Sequence, residues 1–168
     1  MAWTVLKLQL KEYLKNFLKN REKIFILGIG NDMKGDDAVG PVLADKLFSN
    51  FQHQEDIVVV NGGNVPENYT GTIRRENPSH IIFIDAVEME KEPGYVKLVK
   101  KEEIPNYSIS THAMPISFLI KYLESAVDSK MILIGIQPKS MELGQGISKE
   151  VEKSVETIFY ELKLLLEN

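Results

Sequence analysis

The strongest constraint on this chain is a series of short, unbroken apolar runs, each closed by glycine or a polar turn. Lys23-Ile-Phe-Ile-Leu-Gly-Ile-Gly30 comes first. Ile57-Val-Val-Val60 precedes Asn61-Gly62-Gly63, Ile81-Ile-Phe-Ile84 precedes Asp85, and Met131-Ile-Leu-Ile-Gly-Ile136 precedes Gln137-Pro138. Runs without polar alternation are strands covered on both faces, as in parallel sheets. Gly94-Tyr-Val-Lys-Leu-Val99 alternates and is flanked by charge, which predicts an edge strand. Amphipathic helical patterns lie between the strands. Val39, Val42, Leu43 and Leu47 follow a turn from Asn31 to Asp37, with Pro41 in the first helical turn, where its missing amide costs nothing. A short helical stretch begins near Pro66, and Ile116, Leu119, Ile120 and Leu123 follow Pro115. Behind Ser148, a natural cap, come Val151, Val155, Ile158, Phe159, Leu162 and Leu166. Buried strands alternating with such helices predict an α/β chain, a three-layer α/β/α sandwich on a mainly parallel sheet.

Residues 1–22 add an extra helix. Leu6, Leu10, Tyr13, Leu14, Phe17 and Leu18 recur with helical spacing, and lysines line another face. The expected division is an N-terminal amphipathic helix over residues 1–22, packed on a single domain over residues 23–168. The charge divides in the same place: residues 1–23 carry a net +4 within a chain of net −4, so the rest is distinctly acidic. A basic helix that docks a partner or lies on a membrane surface is the other reading of that segment.

Several function classes drop out. No apolar stretch approaches the roughly 18 residues of a membrane span, and lysines break up the N-terminal pattern that a signal peptide needs. A cytoplasmic protein is expected. Net acidity disfavours nucleic acid, which needs a basic face. The chain has no cysteine, which removes disulfides, thiolate-ligated zinc, iron–sulfur clusters and thiol nucleophiles. Chemistry here must use oxygen and imidazole groups.

In open α/β sheets ligands bind beyond the carboxyl ends of the strands. The residues delivered there are Gly28-Ile-Gly30 with Asn31, Asp36 and Asp37, then Asn61-Gly62-Gly63, Asp85 and Gln137, with His112 just before a helix. The glycines after the first strand lack the third glycine of a dinucleotide loop and the Gly-Lys-Ser/Thr of a P-loop. Asp36 and Asp37 would also repel phosphate. Asp37, Asp85 and His112 form a better constellation, since two carboxylates and an imidazole suit Zn, Ni, Mn or Fe(II) and leave positions open for water or substrate. Ordinary structural readings stand beside this one: an Asp before a helix often caps it, an Asp after a strand often makes a turn, and a single His is usually structural. Of the adjacent pair Asp36 and Asp37, one is expected to cap and the other to face the crevice. His53 and His80 have no acidic partner at a strand end and are expected on the surface.

The same residues carry a family resemblance. Ile29-Gly-Asn-Asp-Met-Lys-Gly-Asp-Asp-Ala-Val-Gly40, Asn61-Gly-Gly-Asn-Val-Pro-Glu-Asn68, Ile84-Asp-Ala86, Thr111-His-Ala-Met-Pro115 and Gly135-Ile-Gln-Pro138 resemble the [NiFe]-hydrogenase maturation endopeptidases, closest to the hydrogenase 3 (formate hydrogenlyase) type. The resemblance implies a phosphorylase/hydrolase-like sandwich with a five-stranded sheet of order 2-1-3-5-4, strand four antiparallel. It implies removal of a C-terminal extension from the hydrogenase large-subunit precursor after nickel insertion. Metal contact would fall to Asp37, Asp85 and His112, with a carboxylate of Asp37 or Asp85 or a metal-polarised water serving the scissile peptide bond. Gly30, Asn31, Asp36, Gly62, Gly63 and Gln137 would support the loops around them. The nickel would arrive with the substrate, and no tightly bound cofactor of the chain's own is expected. Relatives often have Asp where this chain has Asn61, and some have Glu at the position of Asp37. There is no His-Glu-x-x-His helix and no nucleophile elbow, so neither ordinary metalloprotease nor serine protease chemistry is expected. Two other activities would use the same residues: a non-catalytic metal-sensing assembly factor that binds the precursor, and a metallo-amidohydrolase acting on small substrates.

Overall fold

Strand β1 (Ile24–Ile29) is buried along its whole length because parallel neighbours flank it on both sides, β2 (Ile57–Gly63) and β3 (His80–Glu88). In this computed structural model, which describes residues 2–109 and 114–168, β3 pairs in parallel with β6 (Lys130–Ile136), and β4 (Val96–Lys100) closes that edge antiparallel to β6. Numbered along the chain without the two-residue strand β5 (Ser108–Ile109), these five strands lie in the order 2-1-3-5-4 with the fourth antiparallel, as the resemblance implies. The edge position of β4 also agrees with its alternating, charge-flanked sequence.

Side-chain alternation sorts the strand residues onto two faces. Ile24, Ile26, Ile82, Ile84, Ile132 and Ile134 pack under α1 (Ala2–Phe17), α2 (Val39–Phe51) and α5 (Lys149–Leu166). Phe25, Leu27, Ile29, Ile81, Phe83 and Leu133 pack under α3 (Thr70–Glu76) and α4 (Ile116–Ala126). Helix α1 and the turn after it lay Leu10, Leu14 and Leu18 into the first of these cores, while Tyr13 of the same stripe is exposed. Burying a leucine contributes about 1.5–3 kcal/mol, so this contact is a substantial part of the fold.

Helix α2 approaches the sheet unusually closely. A Cβ on Gly40 would strike the backbone of Ile29 and lie 2.5 Å from the carbonyl oxygen of Ile84. Glycine here is a packing requirement, and it seats the first turn of α2 on the ends of β1 and β3.

Three expectations need correction. β3 runs on through Asp85 to Glu88, because Asp85 and Ala86 still pair with Gly135 and Ile136 of β6. Asp85 therefore lies within the strand and is not a turn former. A two-residue strand, β5 (Ser108–Ile109), then pairs antiparallel with Val87 and Glu88. His80 is buried, only 2% exposed, because Phe17 at the end of α1 sets its ring edge-on against the imidazole at a centroid distance of 5.2 Å. Neither Asp36 nor Asp37 makes a side-chain cap to the helical segments that begin at Gly35 and Val39.

Candidate active site

The chain leaves β1 through Gly30, whose φ of +145° and whose contact with the backbone carbonyl of Asp37 both exclude a side chain. The Gly30 amide donates to the carbonyl of Gly63 at 3.0 Å and joins the loops after β1 and β2. Gly62 fits beneath them against Leu27, where a Cβ would come within 2.8 Å. The Asn31 amide donates to Asp37 Oδ2 at 3.0 Å. The other oxygen, Oδ1, is buried without a hydrogen-bond partner among the described residues, in a residue only 2% exposed. A buried acceptor left open is costly to folding, and such atoms mark places where a ligand, ion or water completes the site.

Asp85 is fully buried on β3. Alternation puts it on the face of Phe83 and Val87, toward α4. Its register partner on β6 is Gly135, which brings no side chain against it, and a Cβ there would crowd Val87 at 2.9 Å. The turn carrying Asp37 precedes the segment of α2 that is seated on the Ile84 carbonyl. Both carboxylates thus lie at the carboxyl end of the central strands. His112 lies outside the described residues; its described flanks are β5, paired to the end of β3, and α4. Among the described residues no three His, Asp or Glu side chains form a metal-holding group.

The supporting residues divide by what they hold. Asp36, 1% exposed, accepts four hydrogen bonds: from the amides of Lys139 (2.8 Å), Ser140 (3.2 Å) and Ser148 (2.7 Å) and from the Ser148 hydroxyl (2.9 Å). It fastens the loop after β6 to the Asp37 turn. Gln137 is likewise structural. Its Oε1 accepts from the amides of Met89 (2.7 Å) and Lys91 (3.3 Å), while Nε2 donates to Glu88 Oε1 (3.0 Å). Asn61 donates to Asp45 Oδ1 at 3.2 Å and accepts from the Gly63 amide at 3.1 Å. A carboxylate at position 61 would repel Asp45, so the asparagine suits its local partner.

Residues 41–163 match the family model of the HycI hydrogenase maturation protease. The chain belongs to this family.

The hydrogenase 3 maturation protease of Escherichia coli is 32% identical over 139 residues, covering 82% of this chain and 87% of that one. A Methanocaldococcus jannaschii protein provisionally named a hydrogenase maturation protease is 41% identical over 151 residues, covering 86% of this chain and 89% of its own. The crystal structure of a [NiFe] hydrogenase maturation protease HycI from Thermococcus kodakarensis superposes with a TM-score of 0.85 at 29% identity, over 93% of this chain and 99% of the other. The chain is therefore a peptidase of hydrogenase maturation, which sets aside the non-catalytic reading.

Sequence reasoning missed one carboxylate at this edge. Glu67, in the 3-10 turn Pro66–Tyr69 after β2, has Oε2 buried without a partner among the described residues. Its place in the Asn61–Asn68 motif was the only signal. The clamp role of Asp36 was hidden for another reason: its partners lie more than a hundred residues away.

Proposed function

We propose that this peptidase removes the C-terminal extension of a [NiFe]-hydrogenase large-subunit precursor once nickel is in place. Asp37, Asp85 and His112 complete the coordination of the client's nickel, so that cleavage follows metal loading. The observation that carries this proposal is the open Oδ1 of Asp37, a buried carboxylate oxygen with no partner among the described residues. Carboxylate oxygens and imidazole suit a borderline divalent ion, and the ion comes with the substrate, so the chain needs no tightly held cofactor. The scissile bond breaks by addition of water to its carbonyl carbon. A carboxylate of the Asp37–Asp85 pair takes the water's proton, and the departing amine receives a proton as the C–N bond opens.

The partner is a folded protein precursor. Among the described residues no helix is long and apolar enough to cross a membrane, and the acidic body of the chain suits a cation-bearing client better than a nucleic acid. Processing is assigned to the cytoplasm.

The test is incubation with the precursor, with and without nickel, followed by mass spectrometry. The expected result is loss of the C-terminal peptide only from the nickel-loaded form. An intact precursor in a stable complex overturns the cleavage, and equal cleavage without nickel overturns the metal dependence. Full processing by Asp85→Asn or His112→Ala overturns the site assignment.

A further inference from the structure

Beside the Asp37 turn the protein displays two large apolar side chains that its own fold does not use. Met33, in the loop after β1, is 64% exposed, and Leu143, in the loop after β6, is 71% exposed. Surface leucines and methionines are ordinary when they are scattered. The loops that carry these two are tied to each other by a built framework. The Gly144 amide donates to the Met33 carbonyl at 2.8 Å, the Gly35 amide to the Gln145 carbonyl at 3.0 Å, and the Asp36 amide to the Ser140 carbonyl at 2.8 Å. The Asn31 side chain accepts from the Met33 amide at 2.9 Å, and Met141 anchors the second loop against the core. The Asp36 carboxylate bonds to residues on both sides of this second loop.

Each apolar residue has a carboxylate immediately before it in the chain, Asp32 before Met33 and Glu142 before Leu143. Asp32 and Glu142 are exposed, and among the described residues neither has an ion-pair partner; Glu142 accepts only the Gln145 side-chain amide, at 3.0 Å. Lys34, half-buried on the other side of Met33, is the one nearby cation on that loop.

We infer that the Met33–Leu143 platform is the docking surface for the body of the protein client, and that it receives an apolar patch bordered by lysine or arginine. This rests on the peptidase function proposed above. Apolar anchors ringed by polar groups are the usual core of a protein interface, and the two carboxylates favour a basic border and repel an acidic one. Position completes the case. The platform is joined through Asp36 to the turn that carries Asp37, so a client seated on it is tied to the same rigid unit as the open carboxylate oxygen.

The experiment is steady-state processing of the nickel-loaded large-subunit precursor by the double variant Met33→Ser/Leu143→Ser, together with titration of the same precursor against slow-cleaving Asp37→Asn protein with and without those two substitutions. KM and Kd are expected to rise about tenfold or more while kcat stays within about twofold. Asp32→Lys/Glu142→Lys should weaken binding as well, less so in high salt. Phe48→Ser, which removes another exposed apolar side chain further along α2, is the control and should change neither constant. Unchanged KM and Kd in the Met33/Leu143 variant overturn the inference, as does an equal loss in the Phe48 control. A wild-type dimer in sedimentation that the Met33/Leu143 variant dissolves also overturns it, because the surface would then belong to a second copy. Should wild-type protein fail to cleave, the titration still tests the surface separately from the proposed function.

Discussion

Asp36 holds Ser148 across 112 residues of chain by two hydrogen bonds, one from the serine amide to Oδ1 at 2.7 Å and one from its hydroxyl to Oδ2 at 2.9 Å. The same hydroxyl oxygen accepts the Val151 amide at 3.4 Å, so the N-cap of α5 is also the far end of the clamp beside the Asp37 turn. A carboxylate there also meets the positive end of the α5 dipole.

Asp36→Ala should therefore be a stability lesion. Four donors lose a buried charged acceptor, and the expected cost is about 2–4 kcal/mol. Urea unfolding checks it; a loss under about 0.5 kcal/mol would mean that water replaces the carboxylate without penalty.

Asp37→Asn should behave in the opposite way. Oδ1 has no partner to lose among the described residues, and Asn retains an oxygen for the Asn31 amide. The melting temperature is expected to stay level or rise, while precursor processing falls by roughly a hundredfold or more, the pattern of a residue kept for function at the expense of stability. Thermal melts and processing assays on the same preparation test both halves.

Glycine positions offer a paired comparison. Gly40→Ala places a methyl into the backbone of Ile29 and Ile84 and should cost about 3 kcal/mol or prevent folding. Gly71→Ala, inside α3 with nothing within 4 Å of the new Cβ, should stabilise by about 0.5–1 kcal/mol. Denaturation midpoints of the two variants should move in opposite directions.

His80 links stability to pH. Burial holds its imidazole below the ordinary histidine pKa, and the nearby Lys130 ammonium depresses it further. The folded state therefore resists a proton that the unfolded chain accepts near pH 6.5, so stability is full above that value and declines as pH falls through it toward the lowered folded value. The melting temperature of wild-type protein should drop more between pH 7.5 and 5 than that of His80→Gln, which cannot titrate. Parallel curves would show that another group is responsible.

The strands and helices were legible in the sequence because their cause is local. An unbroken run such as Ile24–Ile29 is stable only with cover on both faces, and period-3.6 stripes behind Pro115 and Ser148 have one way to bury their leucines and isoleucines. The placement of Asp37 and Asp85 was legible for the same reason: carboxylates at the ends of apolar runs lie toward the carboxyl edge of a parallel sheet. What each carboxylate does there depended on partners distant in the chain. Asp36 and Asp37 are chemically identical neighbours, yet Ser148 and the loop after β6 saturate one, while among the described residues the other keeps an open oxygen. His80 follows Pro78-Ser79 and looks like a polar boundary, but Phe17 arrives from the N-terminal helix and buries it. Asn61 reads as a loss of charge until Asp45 is found facing it across α2 and β2. Hydrophobic pattern is written residue by residue, so sequence alone determined the layers, the strands and the sheet edge at which Asp37 and Asp85 lie. Which polar group is satisfied and which is left open depends on who fills its coordination sphere, and only the folded chain decides that.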